Sequence, residues 1–423
     1  MNDIYSLPDH VLYCMNKIKE NDKECYLVGG CVRDFLLNKE SHDFDLTTSC
    51  NINHLRTIFR KDFIINRNGI KHNTLTIHFD DMNIEITSFR HIENEENTLY
   101  SDAIHRDFTI NSIYFDEKII DPVNGIEDLK NKIIRSVNPK LAFQEDPLRI
   151  LRALRFASTL EFEIEEKTSN ALFKYSYLLK KVSFERKREE LIKLLNGKNM
   201  KAVMLKYHDI IFEVIPELKR TYQFDQHNPY HDEDIYSHLL SVVENSSEEN
   251  KIPALLHDIG KPDCFTLDEK GVGHFYAHAY KSKEIAENIL ERLRFPHKTI
   301  KKYLYLIENH DATIAYNENS VRKNLAKAKT LNDFLLLLDL INADKKSHTK
   351  KELLDIDKIK EIINNFKEPC LTLRDLAIDG NDLKNNGLKG KEIGDALSDV
   401  LDAILNGKIK NDRDELLKYL KIK

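Results

Sequence analysis

Near residue 140 the hydrophobic period of this 423-residue chain changes, and it does not change back. Upstream, short β-rich runs at 25–28, 43–47, 74–79, 83–87 and 112–115 are separated by Gly, Asn and Asp. Downstream, apolar residues recur at three- and four-residue spacing over 147–157, 185–196, 235–244, 282–294, 298–309 and 331–343. Pro216, Pro229, Pro253, Pro296 and Pro369 punctuate that stretch. The expectation is an α/β head followed by an all-α remainder. Shifts in composition place a head at 1–135, a neck at 136–200, a body at 201–325 and a tail at 326–423. Two to four domains of this size can each bury a core.

No run of about 18 apolar residues is present, so a membrane span is not expected. The first residues, Met1-Asn2-Asp3-Ile4-Tyr5, have neither a basic region nor an apolar core of an export signal. Cys14, Cys25, Cys31, Cys50, Cys264 and Cys370 form no CxxC pair. A reduced, cytoplasmic setting accounts for both observations. The net charge of −6 does not announce a nucleic-acid binder. Phosphate contacts need only a local basic face, however, and 64 Lys and Arg residues can supply one.

The densest chemical signal lies at residues 26–45. An apolar run ends in Gly29-Gly30, where the missing Cβ lets backbone approach a phosphate. A helix is expected to open there, with Arg33 near its start as a fixed cation. Asp43 and Asp45 follow two apart in a strand-like run, so period 2 puts both carboxylates on one face. Side-by-side carboxylates repel unless cations bridge them, as in a two-Mg²⁺ phosphoryl-transfer site. Gly-Gly alone is more often a plain turn beside a solvated acidic strand. The complete string, GGxVRD followed by DxD, resembles the signature of the polymerase-β-like nucleotidyltransferases of the class II tRNA CCA-adding and bacterial poly(A) polymerase family.

The resemblance continues along the chain. His105-Arg106-Asp107-Phe108-Thr109 looks like that family's second motif with the first Arg replaced by His105; it implies that Arg106 and Asp107 meet ribose and phosphates. Asp121-Pro122 with Gly125, Asp128 and Leu129 matches a hinge-like third motif. Glu85 is a candidate third acidic group near the metals, with a solvated surface carboxylate as the plain alternative. In the neck, Asp146 before Pro147 reads as a helix start. Arg149, Arg152 and Arg155 then recur every three residues, which by itself suggests a solvated basic face. Glu145-Asp146-Pro147-Leu148-Arg149 resembles the family's EDxxR motif, which implies that Asp146 and Arg149 read the Watson–Crick edge of CTP and ATP. Arg152 and Arg155 are then expected at the triphosphate or primer end. The stretch at 184–191 resembles a bracing helix in which Glu185 and Arg186 are structural.

The body carries His238, then His257-Asp258, then His310-Asp311 on a helical background. A lone His is usually a core residue, but this ordered set resembles the HD metal-phosphohydrolase superfamily. It implies a second divalent metal held by His238, His257, Asp258 and Asp311, with His278 a further candidate. The tail segment 371–394 also resembles longer bacterial members, with Gly390 and the following helix offering N–H groups to tRNA phosphate.

Taken with the resemblance, the chain is expected to add C, with or without A, from CTP and ATP to the 3′ end of tRNA, using Mg²⁺ in the head. Only fifteen residues, 91–105, separate Arg90 from Arg106, shorter than in complete CCA-adding members and similar to members that add only the two Cs. Two other readings stand beside this one. A poly(A) polymerase shares every head motif, and an HD phosphohydrolase could carry a head that merely binds nucleotide.

Overall fold

The computed structural model describes residues 7–41, 43–60, 73–79, 82–90, 97–227, 233–348, 352–366 and 372–421. Residues 91–96 of the short segment, Leu371 of the tail motif and the first six residues lie outside them. The chain divides into two compact units, Met1–Val214 and Ile215–Lys423. The expected head and neck fall in the first and the expected tail in the second, while the expected body straddles the division.

In the first unit six runs form strands: β1 (Cys25–Val28), β2 (Phe44–Thr48), β3 (Thr74–His78), β4 (Asn83–Ser88), β5 (Tyr114–Asp116) and β6 (Lys118–Ile120). They form one sheet in the order β3-β4-β2-β1-β5-β6. β2 and β4 are parallel and the other pairs antiparallel. Leu27, Leu46, Leu75, Ile77, Ile84 and Ile86 are fully buried, the period-2 pattern of a sheet with one covered face. An amphipathic helix, Asp9–Lys19, buries Val11, Cys14, Met15 and Ile18 at helical spacing. β2 begins one residue later than the sequence suggests, leaving Asp43 at its mouth. β6 is new: its Lys118 and the turn residue Glu117 (φ +55°) mask the strand pattern.

Helices Leu148–Leu160 and Phe184–Leu195 pack against each other behind the head. The neck is not purely helical, because Ile133–Ile134 pairs in parallel with Glu163–Ile164. In the second unit, helices Ile235–Asn245, His278–Arg292, His297–Asn309 and Leu331–Lys346 stand where the spacing predicts, and a small hairpin joins Phe265–Leu267 to Gly273–Phe275. Leu331–Lys346 is apolar nearly all round and buries eight residues, so it is a central helix. The tail has its own small core of Ile378, Leu383, Val400, Ile404 and Leu416. Gly390, at φ +55°, precedes the helix Lys391–Leu405.

Among the described residues no helix is long and apolar enough to cross a membrane. Cys14, Cys25, Cys31 and Cys50 are buried, and none of the five described cysteines is in a disulfide.

Candidate active site and a second polar centre

β1 delivers its chain into Gly29, whose φ of +86° favours glycine. A Cβ at Gly29 would stand 3.3 Å from Asp45 Oδ2, so the bare backbone leaves room for that carboxylate. Arg33 is locked in place: Nη1 donates to Asn111 Oδ1 at 2.8 Å, and Nε and Nη2 donate to Asp34 Oδ1 at 2.9 and 2.7 Å. Asp43 and Asp45 line the cleft beyond this turn. Glu85 is aligned with Asp45 across the parallel β2–β4 pair, beside the cleft rather than lining it. Burial raises the Asp45 pKa, with Arg106 opposing and Asp43 adding to the rise. Burial also raises Glu85, and the charges of Asp45 and Asp43 raise it further. Two buried carboxylates whose charge is disfavoured by a neighbouring carboxylate fit a divalent cation, which removes the repulsion.

The cleft has a volume of about 590 Å³, the size of a nucleotide pocket. Arg33, Arg90, Arg106, Arg149, Arg152, Arg155 and Arg186 all line it. Arg106 is buried and donates to Asp102 Oδ2 at 2.8 Å; Tyr114 Oη donates to the same oxygen at 2.8 Å. Asp107 accepts from Arg152 Nη2 at 2.6 Å and from the Phe108 amide at 2.9 Å. Burial works against its charge, but Arg152 and Arg149 hold its carboxyl well below the usual range. Arg155 stands 3.3 Å from Glu190, and burial lowers its pKa to about 10.

The arginines of the neck are therefore not a solvated stripe. Each is turned inward and has an oxygen partner. Arg149 Nη2 donates to the His105 carbonyl at 2.8 Å, and Nη1 donates to the Ala142 carbonyl at 3.2 Å and to Glu145 Oε2 at 3.3 Å. Glu145 Oε1 in turn meets His105 Nδ1 at 2.6 Å. Asp146 Oδ1 accepts from the Leu148 amide at 3.1 Å, the capping role its position suggests. Its other oxygen, Oδ2, accepts from Arg186 Nη2 at 2.9 Å. The hinge-like motif is structural: Asp121 accepts from the amides of Gly125 and Ile126 at 2.8 and 2.9 Å, and a Cβ on Gly125 would meet the Thr109 carbonyl oxygen at 2.2 Å.

The second unit gathers His238, His257, Asp258, His278 and His310, and here one expectation needs correcting. Asp311 is exposed and takes no part. The helix His297–Asn309 ends at His310, which turns inward while the next residue faces solvent. Asp344, from the central helix Leu331–Lys346, supplies the second carboxylate, with His348 one turn further on at 3.3 Å. His238 Nε2 is 3.0 Å from Asp344 Oδ1, and His257 Nε2 is 3.2 Å from Asp258 Oδ2. His278 and His310 Nε2 lie 3.2 and 3.4 Å from the other Asp258 oxygen, Oδ1. Lys261 Nζ is 2.7 Å from Asp258 Oδ2. Burial works against charge on Asp258, but His257 and Lys261 hold its carboxyl well below the usual range.

Family models described as "Poly A polymerase head domain", "Probable RNA and SrmB-binding site of polymerase A" and "tRNA nucleotidyltransferase domain 2 putative" match residues 25–135, 161–221 and 272–420. The CCA-adding enzyme of Lactobacillus helveticus is 30% identical over 99% of this chain and 99% of its own length. The chain belongs to the CCA-adding enzyme family. A CC-adding tRNA nucleotidyltransferase of Halalkalibacterium halodurans is 26% identical over 97% of this chain and 96% of its own. In fold, the chain resembles the Bacillus stearothermophilus CCA-adding enzyme crystallised with CTP, at TM-score 0.71 and 23% identity over 97% of this chain and 96% of that one.

For this family member, sequence reasoning brought together the residues of the head and neck but missed several that complete the cleft. Arg90 and Arg186 line it, and Asp102 holds Arg106. Arg186, expected to be structural, lines the cleft, and its guanidinium pairs with Asp146, forty residues away. Nothing local signals that contact. In the second unit the i, i+4 spacing of Asp344, in the last turn of its helix, and His348, just past the helix end, is the available signal.

Proposed function

We propose that this chain adds C, and more slowly A, from CTP and ATP to the 3′ end of tRNA without a nucleic-acid template, in the cytoplasm. The observation that carries this reading is that the paired carboxylates Asp43 and Asp45 and the base-reading pair Asp146 and Arg149 line one cleft. Arg33, Arg152 and Arg155 offer cations to the triphosphate, with Arg106 and Asp107 beside them for phosphate and ribose. Gly29-Gly30 leaves the backbone open to the same group. Asp146 accepts from the exocyclic amine that C and A share, and Arg149 donates to ring nitrogen or carbonyl oxygen. Uracil and guanine present the opposite pattern at that edge. Asp43 and Asp45, with Glu85 beside them, are the residues that would hold Mg²⁺, which supplies charge stabilisation to the transferring phosphoryl group. The tail, through Gly390 and the helix Lys391–Leu405, offers amide groups to tRNA phosphate.

The slower A step follows from the short segment at 91–105. A pocket built for a pyrimidine must shift to accept a purine, whose amine lies farther from the sugar, and such a shift needs a movable element. Thr98 and Ser101 form a reciprocal cap on the helix Leu99–Ile104, which ends at His105. That leaves residues 91–97, with Glu93, Glu95 and Glu96 among them, as the length available for a lever. The test is incorporation of labelled CTP and ATP into tRNA ending at the discriminator base, at C and at CC. Two Cs should be added readily, and A addition to the CC end from ATP alone should be slower by about tenfold or more, a difference of about 1.4 kcal/mol in barrier. Equal rates for the two steps would show that the segment length is immaterial. A long homopolymeric tail would make the chain a poly(A) polymerase instead.

A further inference from the structure

We infer that the first unit carries a second nucleotide site, a groove that shares no residue with the cleft and takes a nucleoside triphosphate as a ligand rather than as a substrate. The groove has a volume of about 660 Å³, enough for one nucleotide. Three helices wall it: Leu99–Ile104, Pro139–Glu145 and Glu166–Tyr175. The first supplies Tyr100 and Ile104, and the second opens with Pro139 and Lys140. The third supplies Lys167, Asn170, Ala171, Lys174 and Tyr175. The first four of these recur at three- and four-residue spacing, so one face of that helix fronts the groove.

Lys140, Lys167 and Lys174 line the groove, and no aspartate or glutamate does. None of the three is in an ion pair with a described residue. Like charges gathered around one hollow repel, and an anion between them removes that cost. Lys167 and Lys174 stand two helical turns apart, roughly 10 Å along the axis, more than one phosphate spans and within reach of a triphosphate. Two tyrosines complete the site. Tyr100 is 59% exposed and offers an uncovered ring, on which any base can stack. Tyr175 is only 8% exposed, yet its hydroxyl has no hydrogen-bond partner among the described residues. A hydroxyl on a buried side chain, left open to a cavity, suits a ligand oxygen. Asn170 can donate or accept, so the groove tolerates every base, unlike the Asp146–Arg149 pair.

The groove also touches the two elements that aim Arg149. The helix bearing Tyr100 and Ile104 ends at His105, whose carbonyl accepts from Arg149 Nη2 at 2.8 Å. The helix opened by Pro139 and Lys140 ends in Glu145, which meets His105 Nδ1 at 2.6 Å and Arg149 Nη1 at 3.3 Å. A triphosphate that bridges Tyr100 and Lys140 ties these helices together and with them the support of Arg149. A filled groove therefore sharpens base choice, a consequence that rests on Arg149 reading the base. Binding itself does not depend on that reading.

Labelled GTP, whose base the cleft should reject, is dialysed to equilibrium against the full chain in Mg²⁺. One equivalent should bind to wild type and to Arg152→Ala, which weakens the cleft alone. Lys167→Glu and Lys174→Glu, at exposed positions, should each bind GTP about tenfold more weakly or worse, and Tyr175→Phe about fivefold. CTP incorporation without GTP should keep its wild-type rate in these three variants, which also shows that they are folded. No bound GTP, or a loss in Arg152→Ala with none in the Lys variants, overturns the groove as a nucleotide site. Displacement of GTP by a single-stranded RNA oligonucleotide more readily than by ATP makes the groove an RNA face and overturns the free-nucleotide assignment. The link to Arg149 is read separately, at CTP and UTP below their KM. Saturating GTP should raise the preference for CTP about fivefold in wild type and leave Lys167→Glu unchanged. An unchanged preference in wild type overturns the link, whereas a chain that incorporates no CTP at all counts against the reading of the cleft and leaves the binding result standing.

Discussion

Asp43→Ala and Asp45→Ala each lower nucleotide addition by about 10³-fold or more in kcat, roughly 4 kcal/mol of transition-state stabilisation, while tRNA binding stays near wild type. The expected size follows from what the carboxylates face. Asp45 and Glu85 are aligned across β2 and β4; burial raises both, the charge of Asp43 adds to the rise of each, and the charge of Asp45 raises Glu85 further. That repulsion is tolerable only with a cation between them, and removing a ligand removes the cation's hold on the phosphoryl group. RNA contacts are unaffected, because neither residue is a donor to phosphate. Asp45→Asn separates charge from shape: it fits the same space beside Gly29 and should fail as badly as Asp45→Ala. Single-turnover CTP incorporation, together with filter binding of tRNA, decides the matter. Ordinary turnover in either Ala variant at millimolar Mg²⁺ would end the assignment of these residues as metal ligands.

The second large effect is on base choice. Asp146→Ala or Arg149→Ala should lower discrimination of CTP over UTP and of ATP over GTP by about 10²-fold, since each base-edge hydrogen bond left unpaired by the wrong base is worth about 1–3 kcal/mol. Affinity for triphosphate should change less, because Arg33, Arg152 and Arg155 remain in the cleft. The structure adds a condition. Arg149 is aimed by the carbonyls of His105 and Ala142 and by Glu145, so Arg149→Lys, which lacks the planar fork, should lose discrimination nearly as fully. Asp146 must exchange its Arg186 partner for the base, so Arg186→Ala should change KM without abolishing discrimination. Steady-state constants for all four nucleotides test this. A uniform loss of affinity with discrimination intact would assign Asp146 and Arg149 to the phosphates instead.

How far such roles are legible in sequence depends on the range of the interaction. Gly29-Gly30, Arg33, Asp43 and Asp45 lie within twenty residues, and their relation is set by a turn and a strand whose periods are local. Asp146 before Pro147 is equally local. The stripe Arg149, Arg152 and Arg155 was legible as spacing but not as environment. Burial of those guanidiniums depends on Asp107 and Glu190, brought from other elements.

The second unit makes the same division in one cluster. His257-Asp258 could be read directly, because the two are neighbours on a helical run. Asp311 could not be ruled out in the same way. A one-residue step along a helix end turns a side chain by about 100°, and only the packed structure shows that His310 faces inward and its neighbour outward. Asp344 is invisible as a partner of His238 until the helix Leu331–Lys346 is laid beside Ile235–Asn245. What the sequence alone determined is the fold class, the two-carboxylate head, the Asp146–Arg149 pair and the presence of an imidazole-rich second centre, all carried by short-range period and motif. What only tertiary structure decided is which charges meet. Coulomb and ligand contacts act over a few ångströms of space, and packing brings together residues that the chain separates by forty or a hundred positions.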